Sequence, residues 1–357
     1  MDRIEWVSER CRLLRALAEE LAETRPFDGL VIGTGIHLEP KTVALLLTLQ
    51  RGGAELVSTG NLNTTQQEAC DHLAARGVRI VGGPTSDPAE HDAHLREVVR
   101  ARPDLILDNG GDLFARYLEE PYDGLRGGTE ETTSGRARLE PLRDRLRLPI
   151  LVINDSPIKQ FAENQHAVGQ SVFESFLRLT NLSTNGKRVT VFGYGACGKG
   201  VAASFRNAFA VVSVVERDPV LRLQALLDGY LVPDREEALR TADVVVTVTG
   251  APGVVTAEDA PLLRPGAILA NAGHFPWEID AAGLTARGAT VLEGGHMVNL
   301  AGPRPLGNSI ESMDLGFALQ TRCLEAVACG AVGPEACVVP VPRAIDESVA
   351  AAFVATA

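Results

Sequence analysis

Short apolar runs alternate with polar segments of helical periodicity along the whole chain, and they do so in two series. The first series runs through 29–36 (GLVIGTGI), 54–58 (AELVS), 78–81 (VRIV), 104–107 (DLIL) and 149–153 (PILVI). The second runs through 188–192 (RVTVF), 211–215 (VVSVV), 244–248 (VVVTV), 267–269 (AIL) and 290–292 (TVL). Strands apolar throughout are buried on both faces, and strands separated by helices pair in parallel. The alternation predicts an α/β protein with two doubly wound parallel-sheet domains. The length of 357 residues and 45% hydrophobic content suffice for two cores. A helical stretch near 164–179 suits a connector, and the tail from about 308 reads as helical and packs back on the first domain. The expected boundaries are 1–165, 166–307 and 308–357, with small ligands in the cleft between the domains.

Composition narrows the partners. With 34 Lys+Arg against 46 Asp+Glu the net charge is -12, which argues against nucleic acid or an anionic membrane as partner. The six cysteines form no CxxC pair and no zinc spacing, so no metal is expected and the thiols suit a reducing cytoplasm. No signal peptide or spanning stretch is visible. Only four residues are lysines (Lys41, Lys159, Lys187, Lys199).

The strand at 188–192 leads into Gly193-Tyr194-Gly195-Ala196-Cys197-Gly198 and then a helical pattern. In this GxGxxG arrangement the first glycine allows the turn, the second lets a pyrophosphate approach the backbone, and the third permits helix–strand packing. The helix N-terminus offers its N–H groups to phosphate. Glu216 ends the next strand, where a carboxylate accepts both ribose hydroxyls and repels a 2′-phosphate, favouring NAD over NADP; Arg217 beside it pulls the other way. Gly193–Lys199 also spells GxxxxGK, but a P-loop needs Ser or Thr next and this chain has Gly200.

Several stretches resemble the S-adenosylhomocysteine hydrolase family. GYGACGKG with VERDP and LQALLDGY is similar to that family's NAD-binding segment. NAGHF (271–275) with EID (278–280), LDNGGDL (107–113), EETTSG (130–135), NDSPIK (154–159) and EG with VNL (293–294, 298–300) are similar to its NxGHF…EID, LDDGGDL, EETTTG, NDSxxK and EGxxVNL. The resemblance runs from about residue 29 to the C-terminus. It implies a Rossmann NAD-binding domain inserted into a split substrate-binding domain. It also implies a chemistry: NAD transiently oxidises a nucleoside 3′-hydroxyl, C4′ becomes acidic, the 5′ substituent leaves, and the ketone is reduced again.

The resemblance assigns Lys159 to 3′-hydroxyl deprotonation, which suits a buried amine. It assigns Glu131, Glu163 (Asp in the family) and Asn164 to the sugar hydroxyls and the lysine. Thr132, Thr133 and Ser134 are implied at the nicotinamide, His274 at the carboxamide or active-site mouth, and His37 near the 5′ position. Thr249, Gly250, Asn271, Gly273 and Asn299 complete the implied cofactor set with Ala196 and Cys197.

The departures from the family cluster at the base and the 5′ end. Where the family has HxTxE this chain has His37-Leu38-Glu39-Pro40-Lys41, so Glu39 replaces a threonine and Lys41 a group facing the purine. Asn109 replaces the aspartate proposed to take the C4′ proton, and an amide is no base. Leu306 and Glu311 fall where the family's base-contacting histidine and methionine stand. The chain stops at Ala357 without the family's C-terminal Lys/Tyr arm, so a homo-oligomer is expected as a dimer, with a tetramer as the alternative. A carboxyl at Glu39 beside His37 suits a leaving hydroxide that must be protonated, which predicts a nucleoside dehydratase of natural-product biosynthesis; Glu39 as a plain helix cap is the alternative. The rival functions are an authentic S-adenosylhomocysteine hydrolase, an inactive NAD-binding homologue, and a 3′-dehydrogenase or epimerase.

Overall fold

The computed structural model describes residues 2–356. They form two compact units, 2–160 with 310–356, and Phe161–Ser309. The strands follow one another as β1 (Val31–Gly35), β2 (Glu55–Thr59), β3 (Arg79–Ile80), β4 (Leu105–Asp108), β5 (Gly127–Glu130), β6 (Ile150–Val152), β7 (Arg188–Phe192), β8 (Val211–Val215), β9 (Val244–Thr247), β10 (Ile268–Asn271), β11 (Thr290–Val291) and β12 (Val339–Pro340). All pairings between them are parallel.

The first unit carries a seven-stranded sheet in the order β12-β6-β5-β4-β1-β2-β3. The chain steps outward from β1 to β2 and β3, then returns to lay β4 on the other side of β1. The strand order therefore reverses between β1 and β4, and the loops after these two strands diverge to open a crevice at their carboxyl ends. The second unit repeats the device in the order β11-β10-β9-β7-β8, reversing between β7 and β9. Each sheet has its own apolar core, built on Ile106, Phe114, Ile150 and Val152 in the first and on Val189, Val191, Phe205, Val214 and Val246 in the second.

Each of the ten apolar runs overlaps a strand, to within two residues at either end, but β5 and β12 have no such run. β5 reads GGTE because its neighbours leave no room for side chains. A Cβ on Gly128 would lie 1.8 Å from the Ile106 carbonyl oxygen, and one on Gly127 would lie 2.2 Å from that of Pro149. β12 comes from the tail, beside β6. The rest of the tail is helical: Ile310–Ala328 packs on β4, β5 and the helix Arg12–Thr24, and Arg343–Thr356 packs on Ile310–Ala328. Asp314 ties the tail down, its buried carboxylate accepting the N–H groups of Leu13 and Leu14 at 2.8 and 2.9 Å. Those groups open the helix Arg12–Thr24 and have no acceptor within it.

The units divide at Gln160 rather than at 165, inside the π-helix Lys159–Ala167. Lys159 therefore belongs to the first unit, and Glu163 and Asn164 to the second. The segment near 164–179 is this π-helix continued by the α-helix Val168–Thr180.

Candidate active site

The crevice of the first unit is lined by residues that directly follow strands. In register across the sheet, Gly35 stands beside Asp108 and Asp108 beside Glu130. Asp108 and Glu130 are fully buried and act on backbone. Asp108 accepts the N–H groups of Asn109, Asp112 and Phe114, and Glu130 those of Gly110, Gly111 and Thr132 together with the Thr132 hydroxyl. Burial first, and then neighbouring carboxylates, raise the pKa of both. The next residue of each strand faces the opposite way, and these are Asn109 and Glu131.

Asn109 and Glu131 stand at the centre of a hydrogen-bonded chain. Lys159 Nζ donates to Glu131 Oε1 at 3.1 Å, and Asn109 Nδ2 to Glu131 Oε2 at 2.7 Å. Asn61 Nδ2 donates to Asn109 Oδ1 at 3.0 Å and makes a longer contact of 3.5 Å with His37 Nε2. His37 Nδ1 meets Thr64 Oγ1 at 2.6 Å, and Thr64 Oγ1 donates to the Asn61 carbonyl at 3.3 Å. Lys159, Glu131 and Asn109 are each at most 5% exposed. Burial pushes the Glu131 carboxyl upward, but the Lys159 charge, the Asn109 amide and the His37 charge outweigh it and hold the group below the usual carboxylate range.

Asn61 and Thr64 are functional candidates that the sequence reading missed. Their signal is positional: they follow β2, whose neighbour β1 borders the reversal of strand order. Glu39 and Lys41, expected at the 5′ group and the purine, bond to each other at 2.8 Å, with both side chains under a tenth exposed. Glu39 sits at the N-cap of the helix Pro40–Arg51, yet its side chain makes no capping bond. Glu311 is exposed in the first turn of Ile310–Ala328. Thr132 caps the helix Thr133–Leu139, its hydroxyl accepting from Gly135 N and meeting that of Ser134, while Thr133 donates to Asn154 Oδ1 at 2.9 Å.

The crevice of the second unit is made mostly of backbone. Gly193 turns the chain at φ +102°, and Gly195 is the N-cap of the helix Ala196–Asn207. A Cβ on Gly195 would meet nothing within 4 Å, so that side of the turn is open. One on Gly198 would lie 2.1 Å from the Gly193 oxygen, and one on Gly200 would lie 1.7 Å from that of Gln165. The last contact rules out the P-loop reading, because position 200 faces a carbonyl and has no room for a hydroxyl side chain. Glu216 follows β8 and accepts the N–H groups of Tyr194, Arg217 and Asp218; Arg217 is exposed.

After β9, Thr249 and Gly250 donate their N–H groups to Glu278, whose carboxyl burial raises. At the end of β10, Asn271 organises the loop that follows, donating to the carbonyls of Gly273, Phe275 and Gly295 and accepting from Thr247 and Gly273. His274 packs edge-on against Phe275. Glu163 accepts from Asn308 at 3.4 Å, and Leu306 is 52% exposed. Asn299 donates to Ser171 at 3.0 Å, while its buried Oδ1 has no partner among the described residues. An open glycine turn at a helix N-terminus, an acid after the neighbouring strand and a buried orphan acceptor fit a dinucleotide with phosphates, ribose hydroxyls and a carboxamide. No group of three or more His, Cys, Asp or Glu placed to hold a metal occurs among the described residues, and no helix there is long and apolar enough to cross a membrane.

Comparison with known proteins agrees with this geometry. Residues 2–120 match the family described as S-adenosyl-L-homocysteine hydrolase, and residues 164–299 match its NAD binding domain. The adenosylhomocysteinase of Thermotoga maritima is 39% identical over 89% of this chain and 85% of its own length. The S-inosyl-L-homocysteine hydrolase of Methanopyrus kandleri is 36% identical over 98% of this chain and 88% of its own. Among solved structures, a dipicolinate synthase from Bacillus halodurans aligns with TM-score 0.55 at 15% identity, covering 85% of this chain and 99% of that one, a likeness of fold alone. Residues 164–299 thus form the NAD-binding domain of an NAD-dependent enzyme. The chain belongs to the S-adenosyl-L-homocysteine hydrolase family.

Proposed function

We propose that the chain oxidises the 3′-hydroxyl of a nucleoside transiently, releases the C4′ proton and eliminates the 5′ substituent as water. The observation that carries this reading is the buried Lys159–Glu131 pair with an amide, Asn109, where a second acid is expected. Bound NAD supplies a reversible hydride acceptor for C3′. Lys159 and Glu131 lie 3.1 Å apart, so a hydroxyl held between them passes its proton to a base that is already ionised and oriented. Once C3′ is a carbonyl, C4′ is its α-carbon and loses a proton far more readily. Asn109 accepts no proton there; it fixes the Glu131 carboxylate. Glu163, Asn164 and His274 are assigned to the remaining sugar and cofactor contacts.

Loss of water rather than thiolate is supported at the other end of the site. Two residues beyond His37, the Glu39–Lys41 ion pair places a buried polar group of opposite charges, a surface suited to a hydroxyl-bearing sugar more than to a thioether. Lys41 and Glu39 together, with Leu306 and Glu311, are assigned to the substrate's base and 5′ end. The second reading, hydrolysis of a 5′-thioether nucleoside, is favoured by the relatives named adenosylhomocysteinase and S-inosyl-L-homocysteine hydrolase.

Mass spectrometry of the NAD-loaded enzyme with a panel of 5′-hydroxyl, hexulose and 5′-thioether nucleosides separates the two. A product lighter by one water supports dehydration. Thioether cleavage with hydroxyl sugars untouched replaces it with hydrolysis.

A further inference from the structure

We propose that Asp346, a buried carboxylate of the C-terminal tail, is a positioning residue for Lys159 and acts through the Ser156 hydroxyl. The inference rests on the sugar-oxidation reading above, which gives Lys159 its task.

Lys159 opens a π-helix, and the residues before it form a capped helix start. Ser156 stands at the cap position and Pro157 follows it, with no N–H to satisfy. Ser156 Oγ accepts the N–H groups of Ile158 at 3.1 Å and of Lys159 at 3.4 Å. A serine hydroxyl has two lone pairs and one proton. Both lone pairs face these N–H groups, so the proton points elsewhere. It goes to Asp346 Oδ1 at 2.5 Å, a partner 190 residues away in sequence. Ser156 is fully buried and Asp346 nearly so. A carboxylate acceptor makes this the strongest of the three bonds, and it polarises the hydroxyl so that Oγ holds the backbone N–H groups more firmly.

Strand order brings the tail to this place. β12 pairs with Leu151 and Val152 of β6, and β6 leads into the turn Ile153–Asp155 and then Ser156. β5, which hands on to Glu131, flanks β6 on its other side. The segment that carries Lys159 is therefore gripped between the strand that presents Glu131 and the tail that presents Asp346. Lys159 reaches the first through Nζ, 3.1 Å from Glu131 Oε1, and the second through its backbone N–H. A flexible four-carbon stem joins these two ends, so Nζ keeps one geometry only if the backbone end is fixed. A misplacement of about 1 Å can cost a reaction about 10²-fold.

The tail has another buried carboxylate, Asp314, and it serves as the contrast. Asp314 holds the N–H groups of Leu13 and Leu14 and so fastens the tail alone. Asp346 fastens the tail to the cap of Lys159.

Single-turnover NADH formation by the NAD-loaded full chain, with adenosine as probe and well below the Tm of each variant, reads this role. Asp346→Ala is expected to lower the maximal rate about 10-fold, with half-saturation by adenosine and NAD affinity within about 2-fold of wild type. Asp346→Asn keeps an acceptor oxygen for Ser156 and is expected to stay within about 3-fold of wild type. Ser156→Ala removes the same bond from its other end and should match Asp346→Ala, with the double variant no slower than either. Asp314→Ala should lower Tm and leave the rate unchanged. A wild-type rate in Asp346→Ala or in Ser156→Ala overturns the proposal, and the second variant decides if the first does not fold. Losses that multiply in the double variant overturn it too, as does an equal loss of rate in Asp346→Asn or in Asp314→Ala. Lys159→Met at the wild-type rate removes the lysine from the chemistry, and a wild-type chain that forms no NADH sinks the sugar-oxidation reading first; the role of Asp346 falls with either.

Discussion

The two sheets of this chain reverse their strand order in the same manner, yet they line the resulting crevices with different matter. In each, a buried glutamate pins the loop across the reversal: Glu130 holds Gly110 and Gly111 after β4, and Glu278 holds Thr249 and Gly250 after β9. In each, that glutamate excludes a side chain from a neighbouring glycine, since a Cβ on Gly135 would lie 2.1 Å from Glu130 and one on Gly273 would lie 1.6 Å from Glu278. Beyond this shared frame they diverge. The first crevice is a chain of side chains, Lys159, Glu131, Asn109, Asn61, His37 and Thr64, oriented by one charge. The second offers backbone N–H groups at an open glycine turn. One topology thus frames a hydrogen-bonded set of side chains in one unit and open backbone N–H groups in the other, and the two should fail separately.

The largest separation is expected at Lys159. Lys159→Met should lower the single-turnover rate of NADH formation by about 10²–10⁴-fold and leave NAD affinity as it was. The change also leaves Glu131 buried and alone, at a cost of about 3–5 kcal/mol. The double variant Lys159→Met/Glu131→Gln should recover most of that stability and none of the rate. Loss of NAD binding in the double variant would mean that the two crevices are not independent.

A second effect belongs to the first unit and concerns stability. Burial raises the Asp314 carboxyl to about 6 from its ordinary 3.8. The folded state therefore holds a proton that the unfolded state has released between these values, so stability falls as pH rises through this window and levels off above it. A shift of that size corresponds to at most about 3 kcal/mol. Asp314→Asn has no such titration, and thermal unfolding measured from pH 4 to 7 should show the wild type losing ground relative to it. A constant difference across that range would refute the assignment.

How far the sequence alone could be read follows the same divide. The glycine turn was legible because a backbone site leaves a compositional trace: Gly193, Gly195 and Gly198 are required by the turn and its packing. Apolar runs revealed ten strands because burial on both faces selects for them, whereas β5 escaped notice because crowding had reduced it to glycines. The side-chain crevice was less legible. Lys159, Glu131, Asn109 and His37 came from motif resemblance, and nothing local to those residues indicated that Asn61 joins Asn109 to His37. Glu39 and Lys41 are expected at the 5′ group and the purine, and periodicity does not reveal that a two-residue step into a helix brings them into one ion pair. Contacts between residues distant in sequence are set by sheet order, which periodicity does not encode.

In the second unit, two alanines sharpen the contrast between space for a ligand and space for the fold. Gly198→Ala puts a methyl group against the Gly193 carbonyl and should destabilise the unit by about 2 kcal/mol, visible as a lower Tm. Gly195→Ala meets no protein atom within 4 Å, so Tm should hold while NAD affinity falls by about 10-fold as the methyl group occupies the open side of the turn. The pattern breaks if Gly195→Ala lowers Tm as much as Gly198→Ala, or if it binds NAD as tightly as wild type. Neither change touches Glu131 or His37.

The smallest expected effect tests what an amide does where an acid is expected. Asn109→Asp sets a carboxylate about 2.7 Å from Glu131 Oε2. Like charges at that distance share a proton, so the Glu131 carboxyl, now held low by Lys159, Asn109 and His37 against the effect of burial, must rise. If sugar oxidation needs ionised Glu131, the acid limb of the pH profile for NADH formation moves to higher pH. The donor that is lost is the one to Glu131; a carboxylate at 109 still accepts from Asn61, as the amide oxygen does at 3.0 Å, so the effect should be confined to the acid limb. An acid limb that stays in place would show that Glu131 is not the ionised partner in oxidation. Faster deuterium uptake at C4′ from heavy water in Asn109→Asp would show that an acid at 109 takes the C4′ proton. NAD affinity should not move in either case, because nothing in the glycine turn depends on the charge at 109.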